Sequence, residues 1–166
     1  KMSRLAHLAG DMGAAWVIPF DADEAWYLPD LSTVTADVVM VRSHVYVPQP
    51  GDPDDPNPIT RMLWRVATPE RFPKVCFRYH PDAQLHMGQH DVSRPGRRTE
   101  AGMIKHYQYR TLEQVRRKAS NGTKAYSATN LPHFYGTHWR NLNSLDEDGL
   151  AGWWEDYTSQ PLEYAP

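Results

Sequence analysis

Three carboxylates in four positions, Asp21-Ala22-Asp23-Glu24, follow directly on the apolar run Trp16-Val17-Ile18-Pro19-Phe20. On a strand end, side chains at i and i+2 point to the same side of the pleat, so Asp21 and Asp23 are expected to act together. They leave the strand where the backbone turns and water has access, which keeps both ionised. One or two carboxylates, completed by the phosphates of a substrate, are a common way of holding Mg²⁺, and Mn²⁺ accepts the same donors. An ion held so would bridge a diphosphate and offset the charge that grows as the diphosphate leaves. Trp26 stands directly behind the cluster, placed to stack on a sugar or a base. An Asp-x-Asp triplet alone more often marks a solvated turn; its place behind an apolar run is what argues for chemistry.

Other polar groups carry less. His80, His86, His90 and His106 show no His-x-x-x-His spacing and no cysteine pair, so a separate zinc site is not expected. Arg94, Arg97 and Arg98 lie in a Pro/Gly loop, which reads as a solvated loop or as a lid over a diphosphate. Arg116, Arg117 and Lys118 read as the polar face of a helix. Trp139, Trp153 and Trp154 suit core packing, with contact to an acceptor sugar as the functional alternative.

The elements that must position these groups follow from periodicity and caps. Ser3 can cap a helix through Leu5, Leu8 and Met12, with Gly13 as its stop. Residues 16–20 read as a buried strand and residues 37–47 as a second, valine-rich one. Residues 48–58 hold five prolines and form a surface loop. Strands are predicted at 74–79 and 84–92, then a polar loop over 93–102 and a short segment at 103–109. Thr111 with Gln114 makes a capping box for a helix to about Asn121, stopped by Gly122. Further helices are predicted at 124–130 and 145–157. Strands first and helices last is α/β organisation in a single domain: a sheet with the metal-site strand over 1–92, and a helical part over 103–166.

The 166 residues suffice for one domain with a substantial core. A net charge of −2 provides no basic field for nucleic acid. No run of 18 apolar residues is present, so no transmembrane segment is expected. The single cysteine, Cys76, lies in an apolar run, reads as a small buried hydrophobe, and suits a reducing, cytoplasmic setting.

Taken together, several segments resemble the family 2 glycosyltransferases and their relatives, which share the nucleotide-binding GT-A fold. Leu5-Ala6-His7-Leu8-Ala9 and Gly13 through Trp26 are similar to that family's helix, its strand and its "DADEFW" turn. Pro73-Lys74-Val75 and Met87-Gly88-Gln89-His90 match a "PK…GxH" pattern, and Ile104 through Gln114, with Lys118 and Gly122, an "HYxxRSxEQxxxK…G" pattern. The likeness covers about residues 5–122; Ala25 stands in place of the usual aromatic, and the match fades after Gly136.

The resemblance implies a metal-dependent transferase that moves a sugar from a nucleoside-diphosphate donor to an acceptor, with inversion expected. It implies Asp21 and Asp23 as metal acids, Asp23 the direct ligand, with His106 close to the metal and diphosphate. Arg110 and Lys118 would face the phosphates. An inverting enzyme needs a carboxylate base, for which Asp91 is the first candidate and Glu113 the second; Glu113 equally suits the helix dipole. In that family about a hundred residues with the base-gripping strands precede the Asp-x-Asp strand, so this chain is expected to be the C-terminal part of a GT-A domain lacking its N-terminal nucleotide-binding strands, and to bind nucleotide weakly alone. The alternative from another class is a non-catalytic carbohydrate- or partner-binding module. A metal-dependent phosphohydrolase ranks third, because the dense Asp/His set of a two-metal centre is missing.

Overall fold

A computed structural model describes residues 2–166. The protein is a mixed α/β chain; its described residues form a curled mixed sheet and five α-helices, and they divide into two compact units. The first holds the residues up to Val45 together with Ala67–His106; the second holds Tyr46–Val66 and Tyr107–Pro166.

The first unit begins with α1 (Met2–Asp11). Ser3 lies inside this helix rather than capping it, and its hydroxyl accepts from Leu85 N at 3.0 Å. Only Ala6 is buried, whereas Leu5 and Leu8 stay half exposed and Met12 is 80% exposed. The strand expected over 16–20 contracts to β1 (Trp16–Val17), because its only partner, β5 (Lys74–Arg78), pairs no further and Pro19 lacks a ladder donor. A second short strand, β2 (Glu24–Tyr27), follows the acidic turn. Next come β3 (Val38–Val45) and, later in the chain, β8 (Arg98–His106). The five strands run in the order β1-β5-β3-β8-β2; β3 and β8 are parallel and every other pair is antiparallel.

Two sequence expectations fail here for clear reasons. The strand expected over 84–92 is a tight hairpin of β6 (Gln84–Leu85) and β7 (Val92–Ser93), because Gly88 and Gln89 adopt positive φ and reverse the chain. The loop expected over 93–102 yields half of β8. Its polar residues belong to a strand whose alternate side chains face solvent, and Glu100 pairs with Arg42 of β3 at 3.0 Å. The valines supply the core: Val38, Val39, Val41, Val75, Cys76, Phe77 and Ile104 are fully buried. Burial pushes the Cys76 thiol up to about 11.

The three loop arginines hold this unit together. Arg94 donates to the Asp37 and Arg78 carbonyls, Arg97 to Thr35 O, and Arg98 to Asp91 Oδ1 at 2.6 Å and Val92 O. Asp37 Oδ2 accepts from Arg97 N at 2.8 Å. Gly96 has φ +126°, and a Cβ there would lie 2.4 Å from Asp37 Oδ2, so only glycine lets the carboxylate approach. The Arg97 amide and the Arg94 charge hold the Asp37 carboxyl below its ordinary range. A lowered carboxyl stabilises the fold above its unfolded pKa, and that contribution disappears as pH falls through the folded value. Asp37→Asn is therefore expected to lower the urea midpoint at pH 7, with the gap to wild type closing on acidification; an equal gap at pH 7 and pH 3 would contradict this.

The second unit contains α2 (Pro58–Arg61), β4 (Trp64–Val66), α3 (Leu112–Ser127), α4 (Thr137–Asn143), α5 (Glu147–Ser159) and β9 (Leu162–Tyr164), with β4 and β9 antiparallel. Thr111 caps α3 as expected, its hydroxyl accepting from Gln114 N at 3.1 Å, while Gln114 Oε1 reaches back to Arg110 N. The helix does not stop at Gly122 but continues to Ser127, taking in the first part of the segment expected as a separate helix at 124–130. Gly122 serves packing instead: a Cβ there would lie 2.5 Å from Trp139 Cγ on α4. Trp139, Trp153 and Trp154 pack around buried Tyr109, Val115, Ala119, Leu142 and Leu150.

Candidate metal centre

The acidic cluster is a turn rather than a strand end. Glu24 N donates to Asp21 O at 3.1 Å, and β2 starts at Glu24. Asp21 and Asp23 therefore do not share a pleat face. Asp21 and Glu24 share Lys74, Asp21 also meets Gln89, and Asp23 meets His106, so the partners come from three separate pieces of the chain.

Lys74, at the head of β5, brings the first set together. Its Nζ lies 2.8 Å from Asp21 Oδ2 and 3.0 Å from Glu24 Oε1. The Glu24 side chain is fully enclosed and the Lys74 side chain is 9% exposed. Glu24 Oε2 also accepts from Asp21 N at 3.1 Å and from Trp26 Nε1 at 3.0 Å. Trp26 is thus tied to Glu24 and half-buried over the Val39, Val41, Cys76 and Ile104 cluster. Burial works against charging both Asp21 and Lys74, but their contact outweighs it. The Asp21 carboxyl is held below its ordinary value, helped by Gln89 and His106, and the Lys74 ammonium above its own.

His106 gathers the second set. Glu24 and His106 are paired residues in the β2–β8 ladder, which sets the end of β8 beside the acidic turn. His106 Nδ1 lies 3.0 Å from Glu70 Oε2, and His106 Nε2 lies 3.9 Å from Asp23 Oδ1. Glu70 is anchored in turn, since its N donates to Ser43 O at 2.8 Å. Burial would raise the Glu70 carboxyl, but hydrogen bonds from His106 and Ser43 hold it below its ordinary value.

Carboxylate and imidazole are donor types that divalent ions take. His106 stands between two carboxylates; in the neutral tautomer that gives Nδ1–H to Glu70, its Nε2 lone pair would face Asp23, the carboxylate–imidazole arrangement common behind metal-bound histidines. Nε2 and Asp23 Oδ1, 3.9 Å apart, suit one another with either a proton on Nε2 or a cation between them. The linked groups comprise four carboxylates, Asp21, Asp23, Glu24 and Glu70, against the single ammonium of Lys74. Among the described residues, no three His, Cys, Asp or Glu side chains converge as a complete ligand set. Water or phosphate oxygens would fill the remaining positions.

The structure thus brings Asp21, Asp23, His106 and Trp26 into one region. Asp91 lies in the same unit on the β6–β7 hairpin, where its Oδ1 accepts from Arg98 at 2.6 Å and from Val92 N at 2.7 Å. Burial raises the Asp91 carboxyl but the Arg98 contact outweighs it and holds it low, a poor setting for a base. Arg110, Glu113 and Lys118 belong to the second unit. The Arg110 backbone is held by Gln114 and Arg61, Glu113 is exposed in the first turn of α3, and Lys118 Nζ donates to Gln108 O at 2.8 Å.

Sequence reasoning assigned no role to Lys74, Glu70 or Gln89. Lys74 carried a signal, being a lysine at the head of the buried run Val75-Cys76-Phe77, where an ammonium needs a partner. Gln89 is adjacent to His90, whose Nδ1 lies 3.0 Å from Pro73 O, so the Pro73-Lys74 and Gly88-Gln89-His90 segments meet at this centre. Glu70 gave no local signal. Among the described residues, no helix is long and apolar enough to cross a membrane. Comparison with family models, with curated proteins and with solved structures found no match.

Proposed function

We propose that this chain carries the metal corner of a GT-A-type glycosyltransferase, which uses Mn²⁺ or Mg²⁺ to transfer a sugar from a nucleoside-diphosphate donor to an acceptor. The observation that carries the reading is the Asp23–His106–Glu70 chain beside Asp21. Asp21, Asp23 and His106 would hold the ion, which supplies charge for a departing diphosphate. Glu70 holds the imidazole with Nε2 forward, and Lys74 keeps Asp21 ionised and fixed. The family likeness of residues 5–122 supports the choice of a nucleotide-sugar over other diphosphates. A cytoplasmic setting belongs to the same reading, in keeping with a buried, unpaired Cys76.

The test is manganese-dependent release of nucleoside diphosphate from a nucleotide-sugar by the full-length protein. Loss of an outer partner of a metal site typically costs about 10–100-fold, so removing a direct ligand in Asp23→Ala is expected to cost more than about 100-fold. Turnover in Asp23→Ala within threefold of wild type would refute the assignment. One observation favours the second reading, a non-catalytic module: Lys74 already neutralises part of the cluster, as a purely structural ion-pair network would. Glycan binding indifferent to EDTA, with no manganese-dependent release, would establish that reading.

A further inference from the structure

Gln89 combines three features that packing alone does not call for. It is the only non-glycine residue among the described ones with positive φ, at +61°, a backbone region that costs strain for a side chain of this kind. It is 7% exposed, so a polar amide is enclosed at that strained point. Its Nε2 lies 3.4 Å from Asp21 Oδ1, while its buried Oε1 has no hydrogen-bond partner. Buried acceptors are nearly always satisfied, so the enclosed Oε1 of a strained residue calls for a donor that the chain itself does not supply.

The hairpin is built to hold this residue in place. Gly88 before it has φ +73°, and a Cβ there would lie 2.6 Å from the His90 ring. His90 is fixed in turn by the Pro73 carbonyl, next to Lys74. Asp21 is consequently gripped from two sides, by Lys74 on Oδ2 and by Gln89 on Oδ1. Glycine, with no Cβ, would relieve the strain at position 89 and would lose only a weak bond within the fold.

We propose that Gln89 is a positioning residue of the cation site. Its Nε2 orients the Asp21 carboxylate, and its enclosed Oε1 accepts a hydrogen bond from a water in the shell of the divalent ion. Divalent ions held by few carboxylates keep several waters, each a donor in need of an acceptor. The proposal rests on the metal reading above and adds to it a residue that touches the ion only through Asp21 and water.

The probe is Mn²⁺ itself, titrated into the intact chain and followed by electron paramagnetic resonance of the free ion, with thermal unfolding measured in parallel without metal. Gln89→Gly is expected to weaken Mn²⁺ binding about tenfold, as loss of outer-shell partners does, while its Tm equals or exceeds that of wild type. A purely structural residue would show the reverse: lower Tm and unchanged affinity, which overturns the proposal. Gln89→Asn tolerates the left-handed backbone but is one methylene too short to reach Asp21, so it is expected to fold and to share the loss. Variants binding Mn²⁺ as wild type does overturn the role of Gln89 and leave the metal reading standing. A wild-type chain that binds no Mn²⁺ overturns both.

Discussion

Replacing Lys74 with alanine is expected to destabilise the first unit by about 3–5 kcal/mol, the range for removing one partner of a buried ion pair. The reason is Glu24 more than Asp21. Asp21 is about half exposed and can recover water when the ammonium goes. The Glu24 side chain is fully enclosed, and without Lys74 its charge is met only by two N–H donors, from Asp21 and Trp26. The loss should therefore depend on Glu24. Glu24→Gln added to Lys74→Met leaves two neutral groups of similar volume, and a double-mutant cycle is expected to return most of the stability. Urea unfolding measures both. A Lys74→Ala change below about 1 kcal/mol would mean the pair behaves as a surface salt bridge, and the account of Glu24 would be wrong.

This pair also shows how far the sequence could be read. The acidic cluster, the lysine and the Gly88-Gln89-His90 segment were each visible as motifs, because short-range pattern reports residue type and local spacing. What no local pattern carries is pairing across the sheet. The antiparallel match of Glu24 with His106 joins residues more than eighty positions apart and creates the centre. Glu70 follows the same rule, since its place beside His106 depends on its backbone bond to Ser43. β8 was missed as a strand because its exposed face, with Arg98 and Glu100, reads as loop once its parallel partner β3 is unknown. Conversely, α1, the valine-rich β3, the head of β5 and the Thr111 cap were legible, because each rests on local propensity or a local hydrogen bond. Gly122 misled for a tertiary reason: a glycine at a helix end and a glycine under a tryptophan look alike in sequence.

The second large effect belongs to the other unit. Tyr109→Ala is expected to cost it about 3–5 kcal/mol, as truncations of buried aromatic residues do. Tyr109 is 5% exposed and meets three rings edge-on: Trp153 at 5.4 Å, Tyr157 at 5.4 Å and Trp139 at 6.3 Å. Lys118 Nζ lies 5.6 Å from its centroid, and Gln108 Nε2 donates to its hydroxyl at 3.1 Å. Those rings come from α4 and α5, so the tyrosine packs both helices against the segment that leads into α3. Edge-to-face pairs contribute roughly 0.5–1.5 kcal/mol each beyond area burial, which places the loss toward the upper end of the range. Tyr109→Phe keeps the ring geometry and loses only the hydroxyl contact, so it is expected to cost about 1 kcal/mol. Near-ultraviolet circular dichroism should separate the two: the alanine variant loses the tryptophan signal of the packed cluster, and the phenylalanine variant retains it. Equal unfolding midpoints for Tyr109→Ala and wild type would show that α4 and α5 are held by other contacts.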